Sequence, residues 1–191
     1  MDKKLRIPFF SMAFNLVFSL YYIVWGMLSS SWWMFTIGIY YLILCIVRYI
    51  VLRNKRTDLG ALFAGIMLMV LTLPLSGTVI LSFIKDRGTE FHLIVMLIIA
   101  IYSFTKITLA AIHWIKSRRI TSKRWMALRN ISFADAFVSI FSLQRSMLVS
   151  FEGMTDMEIK IMNLATGVSV CIIVFFLGLD LVRRVNKSSN K

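Results

Sequence analysis

Six long apolar blocks decide what this chain can fold into. A hydrocarbon core of about 30 Å takes roughly 20 helical residues to cross. Blocks of that length run over 7–28, 32–52, 60–84, 91–115, 132–151 and 161–182. Their apolar residues are continuous and do not alternate, so the pattern predicts helices and not barrel strands. The expected fold is all-α: a polytopic membrane protein with six transmembrane helices in three hairpins. Residues 1–191 form a single transmembrane domain.

Composition agrees with this reading and excludes other classes. Hydrophobic residues make up 59% of the chain and charged residues 16%, against about 25% charged in soluble proteins. Neither a disordered chain nor a disulfide scaffold has this profile. The net charge of +13 raises the question of nucleic acid. The charges sit between the apolar blocks, however, so the expected partner is the lipid bilayer and no nucleic acid.

Those charges also set the orientation. Seventeen lysines and arginines fall on one side: the N-terminus, the link around Arg53, the link from Lys116 to Arg129, and the C-terminus, with Arg48 counted beside the second of these. The opposite links hold only Lys85, Arg87 and Lys160, along with five carboxylates. Such asymmetry over short loops predicts both termini in the cytoplasm. The first block begins close to the N-terminus and has no small-residue cleavage site, so it reads as a span and not a removable signal. Trp32 and Trp33 are expected at the outer interface, and Trp114 and Trp125 at the inner one.

The longest link, 116–131, mixes Ile120, Trp125, Met126 and Leu128 with six basic residues. It reads as a short basic helix on anionic headgroups, with Arg118, Arg119, Lys123 and Arg124 as a lipid or partner surface. Equally, it reads as a charged loop that enforces topology. Similar text around Tyr40, Tyr102 and Thr166 hints at a threefold hairpin repeat. Pro74, with Gly77 close behind, predicts a kink or break in the third span. Transporters place sites at such breaks, and packing kinks give the same text.

Polar residues inside the blocks carry the most information. Ser132, Asp135, Ser139, Ser142, Ser146 and Ser150 recur at spacings of three and four, on one stripe of span five. Charge on that stripe cannot face lipid. It either lines a solute or ion pathway or packs closely against other helices. Lys106 lies about 13 Å, and Asp135 about 6 Å, from the cytoplasmic side at 1.5 Å per residue, which predicts a Lys106–Asp135 ion pair. Asn15, Ser19 and Tyr22 share a face of span one, and Asn163 and Thr166 begin span six, so the expected polar interior lies between spans one, four, five and six. Arg145, nearer the outside, has three readings: it snorkels, pairs with Glu90 or Glu152, or binds an anionic solute.

No site for other chemistry stands out. His92 and His113 lie toward opposite membrane faces, so no shared metal is expected. Cys45 and Cys171 read as small apolar residues. No phosphate-binding glycine loop, HExxH or GxSxG is present. No enzyme activity and no cofactor are therefore expected.

The stretch RNISFADAFVSIFSLQRSMLVSFEGM, with KDRGTEFH and FTKITLA earlier, resembles a group of small uncharacterised six-span proteins of Gram-positive bacteria. That resemblance implies a multi-pass protein of the bacterial cytoplasmic membrane and implies no activity. In size, span count and orientation the chain is also similar to the substrate-binding subunits of energy-coupling-factor vitamin transporters. Their first span often carries alanines four residues apart, whereas Ala13 has no such partner here.

The functional expectation is a small solute-binding or permeation subunit for an anionic small solute. The alternative is a non-transporting accessory protein (immunity, sensor or assembly subunit) that recruits a partner or anionic lipid through its basic face. Either version is compatible with a homo-oligomer or a membrane protein partner.

Overall fold

The computed structural model describes residues 6–54, 57–84, 93–118, 122–150 and 154–189. Six helices account for them: α1 (Arg6–Leu28), α2 (Trp32–Arg53), α3 (Thr57–Ile84), α4 (Leu93–Arg118), α5 (Lys123–Ser150) and α6 (Asp156–Ser189). All six are long and apolar enough to span a membrane. Their outward faces carry large apolar side chains such as Val17, Leu73, Phe104 and Phe176, as a lipid-facing surface requires. The chain is a six-helix, multi-pass membrane protein.

The helix ends have local causes. α1 stops in a Schellman turn, in which Ser31 N–H donates to Gly26 O and Ser30 N–H to Met27 O. Ser30 takes the left-handed φ of 51° that this turn needs. α6 opens with a capping box: Thr155 N–H and Oγ1–H both donate to Glu158 Oε2, and Glu158 N–H returns to Thr155 Oγ1.

Helix α5 is the hub. Of its span, 67% is buried, against 28% for the spans of α1 and α6. It packs on α2, α3, α4 and α6. Asn130 Nδ2 donates to Leu177 O, and Gln144 Nε2 to Thr166 Oγ1, pinning α5 to α6 at two levels. Small residues bring other helices close, as membrane packing favours. A Cβ on Gly178 would lie 2.8 Å from Gly65 O, and one on Gly26 would lie 2.6 Å from Phe35 N. These contacts lock α3 to α6 and α1 to α2.

Several expectations need correction. Among the described residues α3 packs chiefly on α6 and α4 on α5, so the middle hairpin is not a packing unit and the threefold repeat loses its geometric basis. α3 runs through Pro74 and Gly77 as one helix, without the expected break. Nearby, the hydroxyls of Thr72, Ser76 and Thr78 donate to carbonyls three residues back. The link 116–131 is mostly not a link, because α5 begins at Lys123. Lys123 pairs with Asp58 at 2.9 Å, and Arg124 donates to Asn54 O at 2.7 Å. Both side chains thus fasten α5 to the α2/α3 link and do not present a separate basic helix. Arg119 and the side chain of Arg118 lie outside the described residues.

The glycine contacts give the first prediction. Gly178→Ala should destabilise the detergent-purified protein by about 1–3 kcal/mol, because the new methyl meets backbone atoms that cannot step aside. Gly77→Ala, with nothing within 4 Å, should leave the unfolding temperature unchanged or slightly raised. Thermal unfolding of the two variants side by side is the measurement.

Candidate functional site

Four helices send polar side chains, at helical spacing, into the space between them. α1 contributes Ser11, Asn15, Ser19 and Tyr22, and α2 contributes Tyr41 and Arg48. α4 contributes Ser103, Lys106 and His113, and α5 contributes Ser132, Asp135, Ser139, Ser142 and Ser146. Every one of these is buried, with at most 3% of its surface exposed. Asp135 lies about 18 Å into α5 at 1.5 Å per residue, near the middle of the bundle.

Asp135 Oδ2 is the convergence point. Lys106 Nζ lies 2.6 Å away and Asn15 Nδ2 2.8 Å away. Arg48 Nη2 reaches the same oxygen at 3.5 Å. Three helices are therefore tied to one atom of a fourth. Arg48 also donates to Ser11 Oγ, and its Nη2 donates to Ser132 Oγ at 3.1 Å. Ser132 Oγ in turn lies 2.8 Å from His113 Nδ1 and 2.8 Å from Leu128 O. Each cation needs such partners, since a lone charge inside a bilayer costs several kcal/mol.

Aromatic rings close the site on the side away from Arg48. The Lys106 ammonium sits 4.9 Å from the Tyr102 ring centroid and 5.6 Å from that of Tyr41, within cation–π range. Phe18 stacks on Tyr102 at 3.8 Å, and Tyr22 O–H meets Ser142 Oγ at 2.9 Å. These rings supply the weak negative charge of their π faces without adding an anion.

The expected Lys106–Asp135 ion pair is formed. Asn15, Ser139, Ser142 and Ser146 join the same polar column, while the side chain of Ser150 lies outside the described residues. Arg145 is buried with its guanidinium 4.8 Å from the Trp33 ring centroid. Trp33, at the start of α2, is therefore a buried platform for that guanidinium. Glu90 and Glu152, the other expected partners of Arg145, lie outside the described residues.

The structure corrects two placements. The second span, not the sixth, lines the polar column. Asn163 is buried on α6, but its Oδ1 has no hydrogen-bond partner among the described residues and it makes no bond to the cluster. Arg48, counted among the link charges, is fully buried and belongs to the site. Its signal was in the text: it lies inside the apolar block 32–52, at helical spacing from Tyr41 and Leu44.

What this arrangement can do follows from its charge. Two cations, Arg48 and Lys106, share one carboxylate, and among the described residues no second carboxylate is buried. Asp135 Oδ1, Arg48 Nε and Asn15 Oδ1 have no hydrogen-bond partner among the described residues. No group of His, Cys, Asp and Glu able to hold a metal occurs among them. No protein-family model matches the chain, and no curated protein is significantly similar to it.

The charge count predicts unequal effects of removing each partner. Asp135→Asn leaves two buried cations without a counter-charge and should cost about 3–5 kcal/mol. Lys106→Gln leaves the Arg48–Asp135 pair intact and should cost distinctly less. Adding Lys106→Gln to Asp135→Asn should recover part of the loss. A double-mutant cycle on thermal unfolding measures the coupling, and strictly additive losses would refute the shared-charge description.

Proposed function

We propose that the chain is a small transport subunit that carries an anionic solute along the polar column between α1, α2, α4 and α5. The observation that carries this reading is the excess of buried positive charge: Arg48 and Lys106 face a single carboxylate at no more than 2% exposure. A purely structural ion pair needs one partner of each sign. A second cation on the same carboxylate adds a desolvation cost and leaves the cluster with an uncompensated positive charge. Intramembrane charges of this kind mark solute and ion pathways.

The placement of the third cation supports the same reading. Arg145 follows Asp135 by about 15 Å along α5, beside the serine stripe and over the Trp33 ring. Arg145 thus stands at a second depth from the Lys106–Arg48 pair, as a further stepping point for a negative charge. We further propose a bacterial cytoplasmic membrane with both termini inside, on the strength of the charge asymmetry and the sequence resemblance. The accessory-protein alternative has less support, because Lys123 and Arg124 are engaged within the chain.

Reconstituted vesicles test the proposal. Uptake of radiolabelled chloride, nitrate and lactate should exceed that of protein-free vesicles, and uptake of a labelled neutral sugar should not. Lys106→Gln and Arg145→Ala should each reduce anion uptake about tenfold or more, while the folded fraction recovered from detergent stays high. Unchanged uptake in both variants would remove the column from the pathway. A reporter fused to the C-terminus that is active only in the cytoplasm should be active.

A further inference from the structure

We propose that the site is matched by charge to a single monoanion, so that it selects solutes of valence minus one over both dianions and neutral molecules. This deepens the transport reading above and rests on it. Arg48, Lys106 and Asp135 together leave one positive charge, and all three are at most 2% exposed. In such an interior a net charge is costly in either sign. One monoanion brings the cluster to zero. A dianion overshoots to net negative, and a neutral solute leaves the positive charge uncompensated.

Among the described residues no further carboxylate, lysine or arginine joins the cluster. Asn15 on α1 and the serines of α4 and α5 are neutral. Tyr41, Tyr102 and Tyr22 present rings and hydroxyls, not charges. His113 is bonded to Ser132. The charge of Arg145 belongs to a separate position over Trp33. Arg48 Nε, without a hydrogen-bond partner among the described residues, is a donor with capacity for a bound oxyanion, and the Lys106 ammonium carries three donors.

Valence selection has a signature that a structural role cannot imitate. Changing the charge of the cluster should change the preferred charge of the ligand. Lys106→Gln brings the cluster to zero, so monoanions lose their advantage over neutral solutes. Asp135→Asn raises it to plus two, so dianions gain over monoanions.

The experiment is titration calorimetry on the full-length, detergent-solubilised protein at pH 7. The probes are chloride, nitrate and lactate as monoanions, sulfate and succinate as dianions, and lactamide as the neutral analogue of lactate. The wild type should bind at least one monoanion about tenfold or more tighter than either dianion or lactamide. In Lys106→Gln the lactate-to-lactamide preference should fall about tenfold. In Asp135→Asn the order of sulfate over nitrate should invert relative to wild type. If Asp135→Asn fails to fold, the lactate-to-lactamide ratio in Lys106→Gln decides the matter alone. Binding by the wild type without regard to valence, or variants that weaken all ligands in the same order, would overturn the charge match and leave the transport reading standing. Binding of none of the probes by the wild type, with no uptake in vesicles, would overturn both.

Discussion

Three helices meet a fourth at one oxygen atom, Asp135 Oδ2, and the arrangement of the bundle's polar half depends on that meeting. In water the ions could each find a hydration shell. Inside a bilayer the only counter-charge available to Lys106 and Arg48 among the described residues is this carboxylate. Hydrophobic burial does not specify which helices associate in lipid, because the surrounding tails are equally apolar. The ions do specify it. α2 and α4 must lie against α5 at the level of residue 135, and Asn15 adds α1 at the same level. The central position of α5 and its burial follow from its being the one helix that carries the anion.

The other half of the molecule is held by different physics. α3 and α6 meet through Gly65 and Gly178 with backbone against backbone, where dispersion contacts and close approach do the work that charge does elsewhere. This interface leaves no room for an added methyl. α5 joins the two halves through Lys123 to Asp58 on α3 and through two side-chain amides, Asn130 to Leu177 O and Gln144 to Thr166, on α6. A rigid, close-packed pair therefore stands beside a polar column whose contacts are charge-assisted. Charged groups can exchange partners without opening a void in the packing. Any rearrangement that admits a solute belongs on the α1, α2, α4 and α5 side.

How much of this was legible follows from what each signal depends on. Span number and helix type depend on length and continuity of apolar text, and those are local properties. The Lys106–Asp135 pair was legible because a buried charge must find its opposite within reach, and few candidates exist. Arg48 was read as part of a basic link, since five residues from a helix end a long side chain can usually snorkel to the interface. Only the tertiary position of α5, which turns that face of α2 inward, decides otherwise. The start of α5 at Lys123 was obscured because its first turns carry basic residues at an interface, where hydropathy falls before the helix ends. The pairing of α3 with α6 rests on two glycines more than a hundred residues apart, and a single sequence gives no sign that they face each other.

The serine stripe on α5 invites the idea of a hydroxyl-lined conduit, but the hydroxyls are already spent. Ser132 bonds Leu128 O and His113, Ser139 bonds Ala136 O, and Ser146 bonds Ser142 O. Across the column Ser103 donates to Ser139 O, and Ser19 to Gly38 O. A hydroxyl that donates to a helix carbonyl keeps acceptor capacity but has no proton left for an anion. The serines serve instead as small residues that let α4 approach α5, each with its own polar group satisfied. Donor capacity for a negatively charged solute then resides in Lys106 and Arg48. On the proposed transport reading, recognition works through net charge and not through a pattern of hydrogen bonds. The same economy explains why a column with so many polar residues needs only three ions to define its chemistry.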